Sequence, residues 1–241
     1  MVNKKQKQIK EKWMRTIIGI TLGVLFAIAS TGEAAKYKIA VVDSGFNTLE
    51  YFSDDIPICA KGHYNFITKR NDLGYDTLGH GTIVTKLIND QITDKKKICY
   101  MVYKIFSGPF TNDDLVASAI VKAVRRGARV INLSLGGPVK SYNVEKALRY
   151  AGKRGVRVFV AAGNESSNLN YTCSTYPACI KMKHVKTVGA VDYKTNGPAF
   201  YSNYGVRPDL WEDGAFGSMN GTSFATPRAL GRYVESVVNK K

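Results

Sequence analysis

Between residues 37 and 238 the chain alternates short apolar runs with segments of helical spacing, and this alternation restricts the fold more than any other feature. The runs "YKIAVVD" (37–43), "ICYMVYKIF" (98–106), "RVINLSL" (129–135), "VRVFVAAGN" (156–164) and "VKTVGAVD" (185–192) read as strands. Their apolar residues are continuous rather than alternating, which marks strands covered on both faces. The segment 80–90 has helical spacing, with Ile83, Val84, Leu87 and Ile88 falling on one side. Segment 111–127 has Asn112 or Thr111 to cap it, acids in its first turn, arginines in its last and Gly127 as a stop. Residues 143–155 and 223–238 complete the helices. Strands alternating with helices require a mostly parallel central sheet with helices on both faces. After residue 36 there is no repeat, no low-complexity linker and no break in composition, so the expectation is a single-domain α/β fold over 36–241.

The first 35 residues have a different character. Residues 1–15 hold six basic side chains and one acid, Glu11. An uncharged run follows from Thr16 to Gly32, with Ala27 and Ala29 in an A-x-A arrangement. This is the layout of a secretory signal peptide, so residues 1–35 are expected to be a signal peptide and short leader. The competing reading is an uncleaved anchor. The strongly apolar part, Ile17 to Ala29, is shorter than the ~20 residues a spanning helix needs. A secreted or extracytoplasmic location is therefore expected, with no stable membrane association once the signal is cleaved. Export also bears on the four cysteines, Cys59, Cys99, Cys173 and Cys179. With no C-x-x-C spacing and three histidines in the whole chain they do not read as a zinc site. An oxidising compartment favours two disulfides, with three pairings open. The net charge of +16 falls to +11 without residues 1–29, and the basic residues are scattered without interleaved aromatics. That speaks against a nucleic-acid partner and for a solvated cationic surface.

In open parallel sheets, sites gather where strands end and helices begin. Four reactive side chains fall there. Asp43 ends the first strand, His80 stands between two glycines at a helix start, Asn164 follows "FVAAG", and Ser223 opens the last helix. Each alone has a plain structural explanation as a cap, a turn residue or a core histidine. Together they have a chemical one. A serine hydroxyl becomes a nucleophile when a neutral imidazole takes its proton, and that imidazole needs a carboxylate on its other nitrogen. The helix starting at Ser223 aims N–H groups at developing negative charge, and Asn164 adds an amide donor. Glycines beside His80 and before Ser223 are expected to let the backbone approach substrate closely.

The blocks "VVDSGFN", "LGHGTIVT", "NLSLGG", "AAGN" and "NGTSFATP" resemble the subtilisin-like serine proteases (peptidase S8), in the order aspartate, histidine, serine. The likeness spans about residues 37 to 236, and G-T-S-x-A-x-P is its most specific part. It implies a subtilisin-like three-layer sandwich and a serine endopeptidase working through an acyl-enzyme, with polypeptide substrates and acting as a monomer; no cofactor and no metal are expected for this chain. It implies Asp43 as orienter, His80 as general base then acid, Ser223 as nucleophile, and Asn164 with the Ser223 N–H as oxyanion donors. Ser134, Leu135 and Gly136 match the family's substrate-binding strand, with Gly136 and Gly137 keeping that edge open. Ala161, Ala162 and Gly163 match a wall of the pocket for the residue before the scissile bond. Glu165, one place beyond, would give that pocket tolerance for lysine or arginine. The family's sheet order places strand 98–106 beside the chain near Cys59, which implies Cys59–Cys99 and leaves Cys173–Cys179.

Three departures accompany the resemblance. No stretch recognisable as a propeptide separates the leader from the domain. The family's elements beyond the serine helix have no counterpart before Lys241. The stretch 203–220 is short, with "LWEDGAF" near the place of the family's "APG" turn. No acid cluster matches a family calcium loop. These leave a rival reading, a catalytically weak or inactive binding protein on the same fold. A basic nucleic-acid binder, resting on charge alone, explains none of the motifs.

Overall fold

The computed structural model describes residues 35–48, 55–173 and 175–240. The leader reading falls outside these residues except at Ala35. All the other described residues belong to one compact unit, Lys36–Lys241.

Six strands form the body of the sheet: β1 (Tyr37–Asp43), β2 (Tyr64–Asn65), β3 (Ile98–Lys104), β4 (Val130–Leu133), β5 (Arg157–Ala161) and β6 (Val185–Asp192). Their order is β2-β3-β1-β4-β5-β6, and every pair among them is parallel. Beyond β6 lie two shorter strands. β7 (Gly197–Pro198) pairs with it antiparallel and β8 (Leu210–Asp213) parallel. β9 (Ala215–Phe216) and β10 (Met219–Asn220) make a separate antiparallel pair just before the last helix. The four helices are α1 (His80–Asn89), α2 (Asp113–Arg125), α3 (Tyr142–Lys153) and α4 (Thr222–Val238).

The continuous apolar runs are explained by the two layers they serve. In β1, Ala40 and Val42 pack with Val116 and Ile120 of α2 and Val144 and Leu148 of α3. Their neighbours Ile39 and Val41 face the other way, onto Val84 and Ile88 of α1 and Leu230 and Val234 of α4. Each such side chain contributes about 1.5–3 kcal/mol by leaving water, so both faces of the sheet hold the sandwich together. Asn112 is the cap of α2, its Oδ1 accepting the Leu115 N–H at 3.0 Å, and Thr111 instead donates to the Ile105 carbonyl. Ser141 caps α3, one residue earlier than the spacing suggested. The short strands β2 and β7 to β10 escaped the sequence reading because none of them carries an apolar run of strand length.

Both disulfides of the resemblance are present. Cys59–Cys99 ties the chain entering β2 to β3, where the Cys59 N–H donates to the Tyr100 carbonyl at 3.0 Å. Cys173–Cys179 closes a six-residue loop that carries Thr175 and Tyr176 to the end of β4.

Candidate active site

Parallel strands deliver their carboxyl ends to one edge, and the predicted residues meet there. Asp43 is the last residue of β1 and is 1% exposed. His80 is the first residue of α1, and its Nδ1 lies 2.8 Å from Asp43 Oδ1. The same oxygen accepts the Ser44 N–H at 2.7 Å and the Ser44 hydroxyl at 3.1 Å, which fixes the carboxylate's orientation. Ser44 Oγ in turn accepts the Gly81 N–H at 2.9 Å, joining the start of α1 to the end of β1. The Asp43 charge raises the His80 pKa above its ordinary value. Burial opposes this, while the hydrogen bond that the ring donates to Asp43 and the charge of the more distant Asp76 add to the rise.

The glycines beside His80 do something other than admit substrate. A Cβ at Gly81 would stand 2.4 Å from the Gly45 carbonyl oxygen and 3.1 Å from Asp43 Cβ. Gly81 therefore lets α1 press against the Asp43 turn, which brings the ring to the carboxylate. Gly79 caps the helix at φ 70°, a left-handed conformation that glycine adopts without strain.

Ser223 is the second residue of α4, and Gly221 stands at the cap without a side-chain bond. Pro227 lies four residues after Ser223 and has no N–H, so the helix leaves the Ser223 carbonyl unclaimed. Ser134 Oγ takes that carbonyl at 2.8 Å and itself accepts Asn132 Nδ2 at 2.9 Å. The Ser223 hydroxyl returns the contact, donating to the Ser134 carbonyl at 3.1 Å. It therefore bonds to the end of β4 rather than to His80. The imidazole nevertheless borders the start of α4, its ring 5.8 Å from that of Phe224.

Asn164 lies where β5 meets the next loop, and its Oδ1 accepts from the Thr222 N–H at 2.8 Å and the Thr222 hydroxyl at 3.0 Å. With the oxygen held, the amide nitrogen is the free end. A Cβ at Gly221 would stand 3.6 Å from Asn164 Nδ2 and 3.8 Å from the Ser223 nitrogen, so both donors border one small space beside Gly221.

The remaining predicted residues sit beside this centre with their polar groups partly spoken for. Gly137 exchanges two backbone bonds with Tyr176, at 2.9 and 2.7 Å, so the edge expected to be open at Gly136 and Gly137 is closed at Gly137. The cause is the Cys173–Cys179 loop, which lays Tyr176 alongside it. Ser134 is buried, Leu135 half-buried and Gly136 exposed, so the stretch opens to solvent at Leu135 and Gly136. The Ala162 N–H goes to the Val188 carbonyl and its own carbonyl accepts Asn203 Nδ2. The Gly163 N–H goes to Thr222 Oγ1. The wall at Ala161, Ala162 and Gly163 therefore offers shape rather than hydrogen bonds.

Several supporting residues were not singled out from the sequence. Asn203, fully buried, donates to Ala162, Glu165 and Thr175 and accepts from the Glu165 and Ser167 N–H groups, which sets the whole turn after β5. Lys104 ends β3 opposite Asp43, is 9% exposed, and donates its ammonium to the Ser44 carbonyl. Burial lowers its pKa, while Asp76 and Asp43 pull it up. A lysine closing an otherwise apolar strand was the sequence signal for it. Among the described residues no group of three or more histidine, cysteine or carboxylate side chains could hold a metal ion. Nor is any helix among them long and apolar enough to cross a membrane.

With this geometry in view, the Subtilase family matches residues 34–232, and the chain belongs to that family. It is 31% identical over 220 residues to a thermophilic serine proteinase of Bacillus sp. (strain AK1), covering 83% of this chain and 52% of that protein. It is 30% identical over 223 residues to subtilisin of Bacillus pumilus, covering 85% of this chain and 78% of that protein. Relatives such as the AK1 proteinase are thus matched over about half their length. Among solved structures, a lanthipeptide protease superposes with a TM-score of 0.69 at 24% identity, over 85% of this chain and 75% of that one. That likeness is one of fold, and the fold is subtilisin-like.

Proposed function

We propose that this chain is a serine endopeptidase with Asp43, His80 and Ser223 as its triad. The observation that carries the reading is the His80–Asp43 bond at 2.8 Å, between a buried carboxylate and a half-buried ring at the strand edge where α4 presents Ser223. Bonded through Nδ1 to the carboxylate, His80 has Nε2 left for the serine proton. The resting Ser223 hydroxyl reaches it by rotation about χ1, a move between staggered wells on the ps–ns scale. Rotation also releases the Ser134 carbonyl, an acceptor for the N–H of an extended peptide lying along 134–136. Attack forms a tetrahedral centre whose oxyanion is stabilised by Asn164 Nδ2 and the Ser223 N–H. His80 then protonates the leaving amine, and water attacks the acyl-enzyme by the same route.

Residues 1–35 are read as the export signal and leader, and the polypeptide substrates as extracytoplasmic. Glu165, its carboxylate accepting from Asn203 and Thr175, gives the pocket tolerance for lysine or arginine before the cut. A cleavage profile confined to bulky apolar residues refutes that tolerance, and a secreted protein still beginning at Met1 refutes the signal. The rival reading, an inactive binding protein, draws on the Ser223 hydroxyl resting on Ser134. A fluorophosphonate probe separates the two. It is expected to label the wild type and not Ser223→Ala, with hydrolysis of a mixed peptide library lost by a factor of about 10³ or more in the variant. Absence of labelling in folded wild type overturns the peptidase.

A further inference from the structure

Away from the triad, a groove of about 960 Å³ opens on the outer layer, between α2, α3 and the chain around β2. Five cations line it: Lys69, Lys122, Arg125, Arg126 and Lys146. Lys122, Arg125 and Arg126 come from the end of α2, and the fold brings Lys69 and Lys146 to them from elsewhere in the chain. Among the described residues none of the five is in an ion pair. The one carboxylate in the lining, Asp114, already accepts from Asn143 Nδ2 at 2.7 Å. Lys122 feels the crowding. Burial and its neighbours Arg126 and Arg125 lower its pKa. Like charges held together in a recess cost free energy unless a partner of opposite sign completes them.

The aromatic side chains in the groove say which kind of anion fits. Lys122 Nζ sits 3.5 Å over the centre of the Tyr64 ring, and Phe66 meets the same ring edge-on at 4.7 Å between centroids. The Arg154 guanidinium lies 5.4 Å from the centre of Tyr150. These rings hold cations in place, so a nucleobase would have to displace an ammonium or guanidinium to stack on Tyr64 or Tyr150. A concave groove also suits an extended chain better than the flat surface of a membrane. The chain's own N-terminal fifteen residues, with six basic side chains against one acid, carry the wrong charge.

The groove is close to the substrate strand because both use the first turn of α2. Asp114 and Leu115 line the groove, while Asp113 and Val116 line a small hollow shared with Leu135 and Tyr176. A polypeptide lying along 134–136 reaches the cations by passing around that turn.

We propose that this groove is an exosite that captures an acidic segment of the polypeptide substrate, outside the residues flanking the cut. The inference rests on the peptidase reading, and its test separates the two. Fluorogenic peptides sharing one cleavable core are compared with and without six glutamates, joined by a Gly-Ser linker at either end. With wild type, a tailed peptide is expected to show a KM about tenfold lower at low salt, with kcat unchanged and the advantage lost in 0.5 M salt. Arg125→Glu/Lys146→Glu, both exposed positions, is expected to abolish the advantage while cleaving the untailed core as wild type does. Equal KM values for all peptides in wild type, or an advantage that survives the charge reversals, overturns the exosite and leaves the peptidase standing. If no peptide is cut, the peptidase reading fails. Anisotropy of a labelled hexaglutamate peptide on Ser223→Ala then still decides the exosite: it must bind, and weaken in the double charge reversal. Tighter binding of polyuridylate than of hexaglutamate overturns it in favour of a nucleic acid.

Discussion

The Asp43–His80 half of the candidate site and the Ser223–Asn164 half are built differently. In the first, the carboxylate is buried, its Oδ1 holds three donors, and the ring is already in place. In the second, Asn164 is exposed and the hydroxyl is bonded to a backbone carbonyl that an incoming peptide would claim. The difference follows from the work each half has in the proposed mechanism. A charge that must stabilise an imidazolium gains from a low dielectric and fixed dipoles, so burial serves it. A nucleophile and an oxyanion donor must meet substrate, so they stay at the surface and are positioned from behind, Asn164 by Thr222 and the start of α4 by Ser134. One half is preformed and the other is completed by binding.

Substitutions in the two halves should therefore differ in size and kind. Asp43→Asn keeps an oxygen for the Ser44 bonds but removes the charge and permits the wrong histidine tautomer. A fall in kcat of about 10⁴, with little change in KM, is expected, as for the same change in other serine proteases. A loss under tenfold would mean the carboxylate is only structural. Thr222→Val keeps the backbone bond to Asn164 and deletes the hydroxyl that bridges Asn164 Oδ1 and the Gly163 N–H. The donor loosens without disappearing, so kcat should fall by about tenfold. Steady-state kinetics on one peptide substrate reads both, and a larger effect at Thr222 than at Asp43 would reverse the ranking of the halves.

The sequence carried the chemistry further than the supports. Asp43, His80, Asn164 and Ser223 were legible because parallel strands must end at one edge, and reactive types stood at those ends. The five main strands and four helices were legible from continuous apolar runs and 3.6-residue spacing. Gly81 was noticed but its packing role was not, because a glycine that admits substrate and one that admits a neighbouring turn look alike in one dimension. Asn203, Thr222 and Lys104 were missed for the same reason: their partners are 41 to 61 residues away in sequence, as with Asn203 on Ala162, Thr222 on Asn164 and Lys104 on Asp43. Strands β2 and β7 to β10 were missed because pairing with β3, with β6 and with each other, rather than hydrophobic pattern, makes them strands.

Ser134 tests how the open half is held. Its hydroxyl satisfies the carbonyl that Pro227 orphans. Ser134→Ala should cost about 1–3 kcal/mol, the usual penalty for a buried acceptor left unpaired. For a chain of this size that lowers Tm by several degrees. Because the Ser134 backbone carbonyl survives, kcat should change much less than in Thr222→Val. A variant as stable as the wild type would show that the start of α4 does not depend on this bond.

The smallest effect, and the sharpest contrast of environment, comes from two histidines, His80 half-buried and His63 buried. His80 has a raised pKa because it faces Asp43, whereas burial lowers the pKa of His63. His63 Nδ1 accepts the Val102 N–H at 3.1 Å, which assigns the ring proton to Nε2, 2.6 Å from the Cys59 carbonyl, and leaves no acceptor for a second proton. The signs are opposite. His80 binds its proton more tightly folded than unfolded, so its contribution to stability is complete below pH 6.5 and is lost as pH rises through the folded value. His63 binds its proton less tightly folded, so it costs nothing above pH 6.5 and destabilises as pH falls below 6.5 towards its folded value. Melting temperatures of wild type, His80→Gln and His63→Gln between pH 5 and 8 check this. Relative to wild type, His80→Gln should lose more stability on the acid side, and His63→Gln should lose less there than at pH 8. Activity follows His80 alone, because catalysis needs the neutral ring: kcat/KM should rise with pH through a midpoint above 6.5. A midpoint at or below 6.5 would mean that Asp43 does not hold the imidazolium, and the preformed half of the site would lose its distinguishing property.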